Sequence, residues 1–256
     1  MQELCHVLFR EHDTGFRRKL LQLRVMDRTP ALDLHGIAKL YGRTAAVRAL
    51  DLRLEDGRIL ALLGPNGSGK TTLLKIIAGA IAPTLGRGTV FGRDLQSERP
   101  LLRRQIGLLA AESYLYEDLT ARENLRFASV MAGARPDEVR LEGCLAEVGL
   151  SAQAGERVRT FSSGMRRRLS LGRVLLAEPR LLLLDEPYNS LDSAAADLVD
   201  TVIRRWRHAG RTAILATHDE DRALALADQV AVMRRGGLVH LGPAGAYEGA
   251  DAQHVV

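Results

Sequence analysis

A glycine-rich segment carries the strongest chemical signal in the sequence. Residues 64–71 read Gly-Pro-Asn-Gly-Ser-Gly-Lys-Thr and follow an apolar run, so they match the phosphate-loop pattern G-x4-G-K-[ST] in its required context. Glycines let backbone N–H groups turn inward around phosphates, and a helix that begins near Thr71 adds its positive dipole end. Lys70 would reach the β and γ oxygens, and the Thr71 hydroxyl would bind Mg²⁺. The predicted nucleotide-binding residues are Gly64, Pro65, Asn66, Gly67, Ser68, Gly69, Lys70, Thr71 and Thr72.

Two carboxylates follow a second apolar run. Leu181–Leu184 leads directly into Asp185 and Glu186, and ligands of open α/β sheets bind at the carboxyl ends of strands. Downstream of a phosphate loop, this pattern predicts that Asp185 holds Mg²⁺ through water and that Glu186 is the general base for an attacking water. A third run, Thr212–Thr217, ends at His218. That histidine is placed to contact a γ-phosphate, the alternative being an ordinary surface histidine at a strand end.

The hydrophobic pattern predicts the sheet that must position these residues. Near-continuous apolar runs fit strands covered on both faces, as in parallel α/β sheets. By contrast, Ala31–Ile59 alternates apolar and charged residues, which predicts a small antiparallel sheet. A helical stretch of roughly 120–180 contains two amphipathic patterns, 121–132 and 137–148. The predicted parallel strands are Ile59–Leu63, Leu181–Leu184, Ala213–Ala216 and Val230–Met233.

Composition limits the class of protein. The chain has 256 residues, 46% of them apolar, which suffices for one domain with a real core. No apolar run approaches the roughly 18 residues of a membrane-spanning helix, so we expect no integral membrane segment. Cys5 and Cys144 are too few for a disulfide framework. The net charge of +5 comes from dispersed arginines with acids among them, which favours a mixed solvated surface over a nucleic-acid site.

One further segment identifies a family. Residues 161–170 read Phe-Ser-Ser-Gly-Met-Arg-Arg-Arg-Leu-Ser, and together with the motifs above they resemble the ATP-binding cassette (ABC) ATPases of ABC transporters. In that family the signature loop, usually L-S-G-G-Q, lies at a helix N-terminus and clamps the γ-phosphate bound to the opposite subunit. Three of its positions differ here, with Phe161 in place of leucine, Ser163 in place of glycine and Met165 in place of glutamine. The implied signature residues are Phe161, Ser162, Ser163, Gly164 and Met165.

The resemblance assigns further roles one position at a time. Tyr41 matches the aromatic residue that stacks on adenine, with an ordinary loop tyrosine as the alternative. His218 matches the switch histidine, which places it with Glu186 among the catalytic residues. The segment that resembles the D-loop, which crosses the dimer interface in the family, consists of Ser190, Leu191 and Asp192.

One family feature is altered. The glutamine that touches Mg²⁺ and senses the transmembrane partner is missing, and depending on register either Ala111 or Glu112 takes its place. We favour Glu112, because a carboxylate can still reach Mg²⁺ directly or through water. With Ala111 in that place, the contact would be lost.

The resemblance also implies a fold and a domain organisation. We expect an α/β fold with a P-loop NTPase core, a mostly parallel sheet, a small N-terminal antiparallel β subdomain and an inserted α-helical subdomain. Residues 30–241 would form the ABC ATPase domain, with the helical subdomain at about 107–180. Residues 1–29 would be an N-terminal extension that is either disordered or mis-started, with Met26 as the true start in the second case. Residues 242–256 would be a frayed tail.

The function implied is an ATPase motor. ATP and Mg²⁺ would be bound between two copies of the chain, and the dimer would drive separately encoded transmembrane permease subunits from the cytoplasmic face of the membrane. Residues 115–127 and the compact C-terminus resemble bacterial exporters, above all the haem exporter of c-type cytochrome maturation. Export of a drug, lipid or other small molecule is the alternative.

Two other classes remain as alternatives. A non-transport ABC ATPase acting on DNA or ribosomes is disfavoured, because the chain lacks heptads between Lys70 and Ser162 and has one cassette. We therefore expect no nucleic-acid partner. A metabolic kinase that uses the phosphate loop is disfavoured by the signature loop and His218.

Overall fold

The computed structural model describes residues 29–110 and 112–249. Residues 1–28, which hold most of the predicted extension, Ala111 and residues 250–256 lie outside the described residues. Along the described chain the strands are β1 (Leu32–Tyr41), β2 (Thr44–Leu54), β3 (Ile59–Leu63), β4 (Leu85–Val90), β5 (Arg93–Asp94), β6 (Ile106–Leu109), β7 (Leu181–Asp185), β8 (Thr212–Thr217), β9 (Gln229–Arg234) and β10 (Gly237–Pro243). The α-helices are α1 (Lys70–Ile77), α2 (Arg99–Leu102), α3 (Ala121–Met131), α4 (Glu138–Glu147), α5 (Ser163–Leu176), α6 (Ser193–His208) and α7 (Glu220–Leu226).

Two sheets form the frame of the molecule. The antiparallel sheet has the strand order β2-β1-β4-β5, and the larger sheet has the order β10-β9-β3-β8-β7-β6. Pairing in the larger sheet is parallel except for the edge hairpin of β9 and β10. The predicted fold class is confirmed, and each of the four predicted parallel strands is present.

The core lies on both faces of the parallel sheet, because successive side chains of a strand point to opposite faces. On β3, Leu60 and Leu62 face α1 and the antiparallel sheet, whereas Ile59, Ala61 and Leu63 face the helices on the other side. All five side chains are fully buried. Burial on both faces explains why these strands read as unbroken apolar runs.

The predicted start of the helical subdomain, at about residue 107, differs from the structure. Ile106–Leu109 is not helical but forms β6, the edge strand that pairs in parallel with β7. The helices of this region begin only at Ala121, where Thr120 and Glu123 form a reciprocal capping box. A strand of only four residues that contains Gly107 gives too short a pattern to recognise from sequence.

The structure also differs from the frayed tail predicted at 242–256, as far as that segment is described. Gly242 and Pro243 complete β10, and a short 3₁₀ turn, Ala244–Ala246, follows. Tyr247 then packs into the core, where 9% of its surface stays exposed. An apolar ring buried against the core holds this segment, so it is not frayed up to residue 249.

Among the residues described, no helix combines the length and the apolar character that crossing a membrane requires.

Candidate functional site

The phosphate loop connects the end of β3 to α1 through a cradle of backbone. Gly64 and Gly69 take φ values of 141° and 106°, in the region that favours glycine. A Cβ on Gly64 would lie 2.2 Å from the Met233 carbonyl oxygen, and one on Gly69 would lie 2.3 Å from the Ala46 carbonyl oxygen. Both positions therefore require glycine for space as well as for conformation. The cavity beside them has a volume of about 180 Å³ and is lined by Ala46, residues 66–72 and Glu186.

Lys70 is the first residue of α1 and is held in place at the cradle. Its ammonium donates to the Gly64 carbonyl at 2.6 Å and lies 3.3 Å from the Glu186 carboxylate. Lys70 is 5% exposed and the Glu186 side chain 13%, so the two charges face each other largely out of water. A buried charge needs such a partner, because leaving it alone costs several kcal/mol.

Thr71 and Asp185 form the oxygen-rich part of the site. The Thr71 hydroxyl donates to the Asp185 carboxylate at 3.1 Å. Burial raises the pKa of the Asp185 carboxyl above its ordinary value, and the Thr71 hydrogen bond partly opposes that shift. A hydroxyl and a carboxylate on adjacent elements match the oxygen ligands that Mg²⁺ prefers.

Within residues 29–110 and 112–249, no group of three or more His, Cys, Asp and Glu side chains could hold a metal ion. Mg²⁺ is commonly held by one or two protein oxygens together with substrate phosphates. Thr71 and Asp185 offer two such oxygens, so they fit this ion and stay its predicted protein ligands.

Glu186 connects the cradle to the end of β8. One of its carboxylate oxygens lies 2.9 Å from His218 Nδ1, and the other faces Lys70. Its backbone has a φ of 47°, a left-handed value that costs a non-glycine residue about 1–3 kcal/mol and is typical of functional sites. The structure thus places Lys70, Glu186 and His218 in one continuous line of contacts.

The signature segment lies at the start of α5. Ser162 is the N-cap of this helix, and its side chain accepts a hydrogen bond from the Met165 backbone N–H at 3.2 Å. Phe161 is buried in the core. Ser163 lines a separate cavity of about 310 Å³, together with Ser113, Phe161, Arg166, Arg167, Asn189 and Ser190. Within one chain the signature segment and the phosphate cradle therefore line different cavities.

The segment Ser190–Asp192 lies against the signature helix. A Cβ on Gly164 would lie 3.0 Å from the Ser190 carbonyl oxygen, and Ser190 itself has a φ of 65°. Leu191 packs against the core, and Asp192 caps α6 by accepting from the Ala195 N–H at 2.8 Å. The retained glycine of the signature allows this close approach.

Two predicted residues lie apart from the cradle lining. Tyr41 ends β1 with 52% of its surface exposed, and the Lys39 ammonium lies 5.3 Å from its ring centroid. Glu112 is exposed, and a hydrogen bond to its carboxylate, reinforced by burial, raises the pKa of the Tyr114 hydroxyl. The alternative to Glu112, Ala111, lies outside the described residues. The stacking of Tyr41 on adenine and the contact of Glu112 with Mg²⁺ therefore both stay predictions.

Sequence reasoning missed two residues at the site. Ala46, on β2, closes the cradle through its carbonyl oxygen. Arg167, on α5, donates hydrogen bonds to the carbonyls of Asp185 and Glu186. Neither could be recognised from its residue type, because one acts through its backbone and the other is one of many arginines.

Comparisons with known proteins show which family the chain resembles. Residues 47–189 match the family described as "ABC transporter". The chain is 39% identical to the Fe(3+) ions import ATP-binding protein FbpC of Pseudomonas fluorescens over 218 residues, which are 83% of this chain and 61% of that protein. It is 37% identical to the Nod factor export ATP-binding protein I of Rhizobium etli over 208 residues, which are 80% of this chain and 66% of that protein. The chain thus spans less than two thirds of the length of either relative.

A solved structure agrees in fold. It is described as the dimeric structure of a post-hydrolysis state of an ATP-binding cassette bound to ADP and Pi. The TM-score is 0.78 at 25% identity, and the alignment covers 84% of this chain and all of that one. The two-sheet frame described above is therefore shared with that solved cassette.

Proposed function

The chain belongs to the ABC transporter family, and from this membership we propose that it binds and hydrolyses ATP as the motor subunit of a transporter. One observation carries the proposal: the continuous contacts from Lys70 through Glu186 to His218, with Thr71 and Asp185 beside them. A cation for the phosphates, a base for water and oxygen ligands for a metal stand together at the carboxyl edge of a parallel sheet. These are the parts that phosphoryl transfer to water requires.

Each side chain has a role in the proposed reaction. Lys70 exchanges its contact with Glu186 for the β and γ oxygens of ATP. Glu186 then accepts a proton from the water that attacks the γ-phosphorus, while the bond to the β–γ bridging oxygen breaks and ADP and phosphate are formed. His218 orients the Glu186 carboxylate and contacts the γ-phosphate. Mg²⁺, when bound at Thr71 and Asp185, would neutralise charge on the phosphate oxygens.

The arrangement of the two cavities supports a shared site. Ser162 begins a helix whose N-terminus favours an anion, yet its segment lines a cavity separate from the phosphate cradle of its own chain. In a dimer of two such chains, the signature segment of one copy would complete the cradle of the other. The dimeric cassette bound to ADP and Pi is in keeping with this arrangement.

Replacing Ser162 tests the shared site. We expect Ser162→Ala to lower the ATPase rate of the dimer by at least about tenfold, because it removes both the helix cap and a contact to the partner's phosphate. ATP binding to monomers at low protein concentration should be unchanged. Thr120→Ala removes the matched cap of α3 and is the control, expected to lower stability without this loss of rate. Equal rates for Ser162→Ala and the wild-type chain would contradict the proposal.

We further propose a transmembrane permease as the partner and the cytoplasmic membrane face as the site of action. Tyr114, Tyr116 and Phe127 expose 57%, 53% and 38% of their surfaces in the helical region. Tyr116 and Phe127 meet edge to face with ring centroids 4.7 Å apart. Exposed aromatic rings of this kind are enriched in protein interfaces, so this aromatic surface supports contact with a permease segment.

For the cargo, we propose haem export of the cytochrome c maturation type, with a drug, lipid or other small molecule as the alternative cargo. The names of the two relatives divide between import and export, so this proposal rests on the resemblance of residues 115–127. To test it, tagged full-length Glu186→Gln would be trapped with Mg²⁺-ATP in its native cell and purified. A multi-spanning partner with a haem Soret band is expected. Such a partner without haem would favour the alternative, and ribosomes or DNA would contradict transport.

A further inference from the structure

Arg167 makes contacts that join three parts of the site. It lies on the second turn of α5, the helix that Ser162 caps. One terminal nitrogen of its guanidinium donates to the Ala110 carbonyl, and the other donates to the Asp185 carbonyl and, at 2.8 Å, to the Glu186 carbonyl. One side chain therefore connects the signature helix to the backbone of Asp185 and Glu186 and to the residue that follows β6.

The burial of Arg167 is costly, which argues for a specific role. Only 8% of the residue is exposed, and this burial lowers the pKa of its guanidinium, although the charges of Asp185 and Glu186 oppose the shift. The Nε atom makes no hydrogen bond within the described part of the chain. Burying a charge against carbonyl dipoles is expensive unless the contacts are well formed. A neutral apolar side chain would be cheaper if this position served packing alone.

The contact falls where the backbone needs support. Glu186 holds a left-handed φ of 47°, a conformation that persists only when its surroundings fix it. Its N–H donates to the Ala216 carbonyl at 2.8 Å, and its own carbonyl accepts from Arg167. The two bonds fix the peptide groups on either side of Glu186. They thereby aim the carboxylate toward Lys70 and His218.

We propose that Arg167 is a positioning residue, which holds Glu186 in its reactive orientation and transmits movement of the signature helix to the catalytic base. This inference rests on the proposed function, since it assumes that Glu186 acts on ATP. A signature helix that engages ATP on a second copy would pull on Asp185 and Glu186 through a rigid fork. A guanidinium suits that task because its planar donors reach two chain segments at fixed geometry.

The test compares Arg167→Gln with Arg168→Gln in the full chain. Arg168 is the neighbouring residue, and its guanidinium also donates to two carbonyls, those of Val148 and Gly149, which lie at the end of α4. We expect Arg167→Gln to lower kcat for ATP hydrolysis by about 10²-fold, because small misplacement of a reacting group costs that much. The KM for ATP should stay within about threefold of the wild-type value, since the cradle is untouched. Arg168→Gln should keep the wild-type kcat.

Folding is followed by thermal unfolding of each variant, and kcat is taken per folded chain. If Arg167→Gln does not fold, Arg167→Lys decides instead: it keeps the charge without the fork, and we expect kcat about tenfold below wild type at unchanged KM. Equal kcat for the two glutamine variants, or a wild-type kcat for Arg167→Lys, would overturn the inference. An inactive wild-type chain would instead overturn the proposed function.

Discussion

Glu186→Gln is expected to slow ATP turnover strongly while keeping ATP bound. An amide at this position cannot accept the proton of the attacking water, so phosphate release should fall by about 10²–10³-fold. The amide still fits between Lys70 and His218, which lie 3.3 Å and 2.9 Å from the two carboxylate oxygens. With hydrolysis blocked, Mg²⁺-ATP should hold two copies of the chain together as a stable dimer. Phosphate release and sedimentation measured on the same sample give both results.

A matched control for this variant is Glu178→Gln. Glu178 has nearly the same left-handed φ, 46°, but its carboxylate pairs with Arg140 at 2.9 Å on the exposed surface. We expect this change to leave the ATPase rate unaltered, because the pair is surface exposed and contributes at most about 1 kcal/mol. If Glu186→Gln hydrolysed ATP at the wild-type rate, Glu186 would not be the base.

Lys70→Ala should remove productive binding of ATP. The lysine is the cation of the cradle, and truncating one partner of a buried, hydrogen-bonded charge pair costs about 2–5 kcal/mol. Its loss also leaves Glu186 facing the cradle without its counter-charge. We expect the Kd for ATP to rise by at least about 10²-fold, and hydrolysis to become undetectable, measured by nucleotide titration and phosphate release.

Lys75→Ala is the control for this second variant. Lys75 lies in the last turn of the same helix, away from the cradle lining. It should bind and hydrolyse ATP as the wild-type chain does. Wild-type affinity in Lys70→Ala would show that the segment is not a phosphate site.

Much of the frame was predictable because burial leaves a direct trace in sequence. The run Leu181–Leu184 is covered on both faces, and it reads as four leucines for that reason. Leu50, Leu52 and Leu54 alternate with charged residues because β2 has one buried face. The strand β6 was not predicted, because Ile106–Leu109 is short and its pattern resembles any apolar stretch beside a helix.

Two residues of the proposed ATP site were recognisable for a different reason. Lys70 and Glu186 lie in motifs whose spacing is set by a loop and a strand end, so the type of residue and its position together identify them. The distance of 3.3 Å between the Lys70 ammonium and the Glu186 carboxylate could not be predicted from the sequence. It depends on the strand order, in which β3 and β7 lie on either side of β8.

Arg167 shows what sequence alone could not provide. All but four of the 36 basic residues are arginines, and nothing in the local sequence distinguishes the buried Arg167 from Arg166 and Arg168 on either side. Its role emerges only from the carbonyls it meets, which belong to residues far along the chain. Contacts between side chain and distant backbone leave no pattern of residue types.

The central claim is that two copies of the chain share each ATP, and the dependence of ATPase rate on protein concentration tests it most directly. Phosphate release per subunit would be measured with saturating Mg²⁺-ATP across the range in which sedimentation shows monomers becoming dimers. The account predicts a rate per subunit that rises with the dimer fraction and then levels off. A constant rate per subunit from monomer to dimer would contradict it.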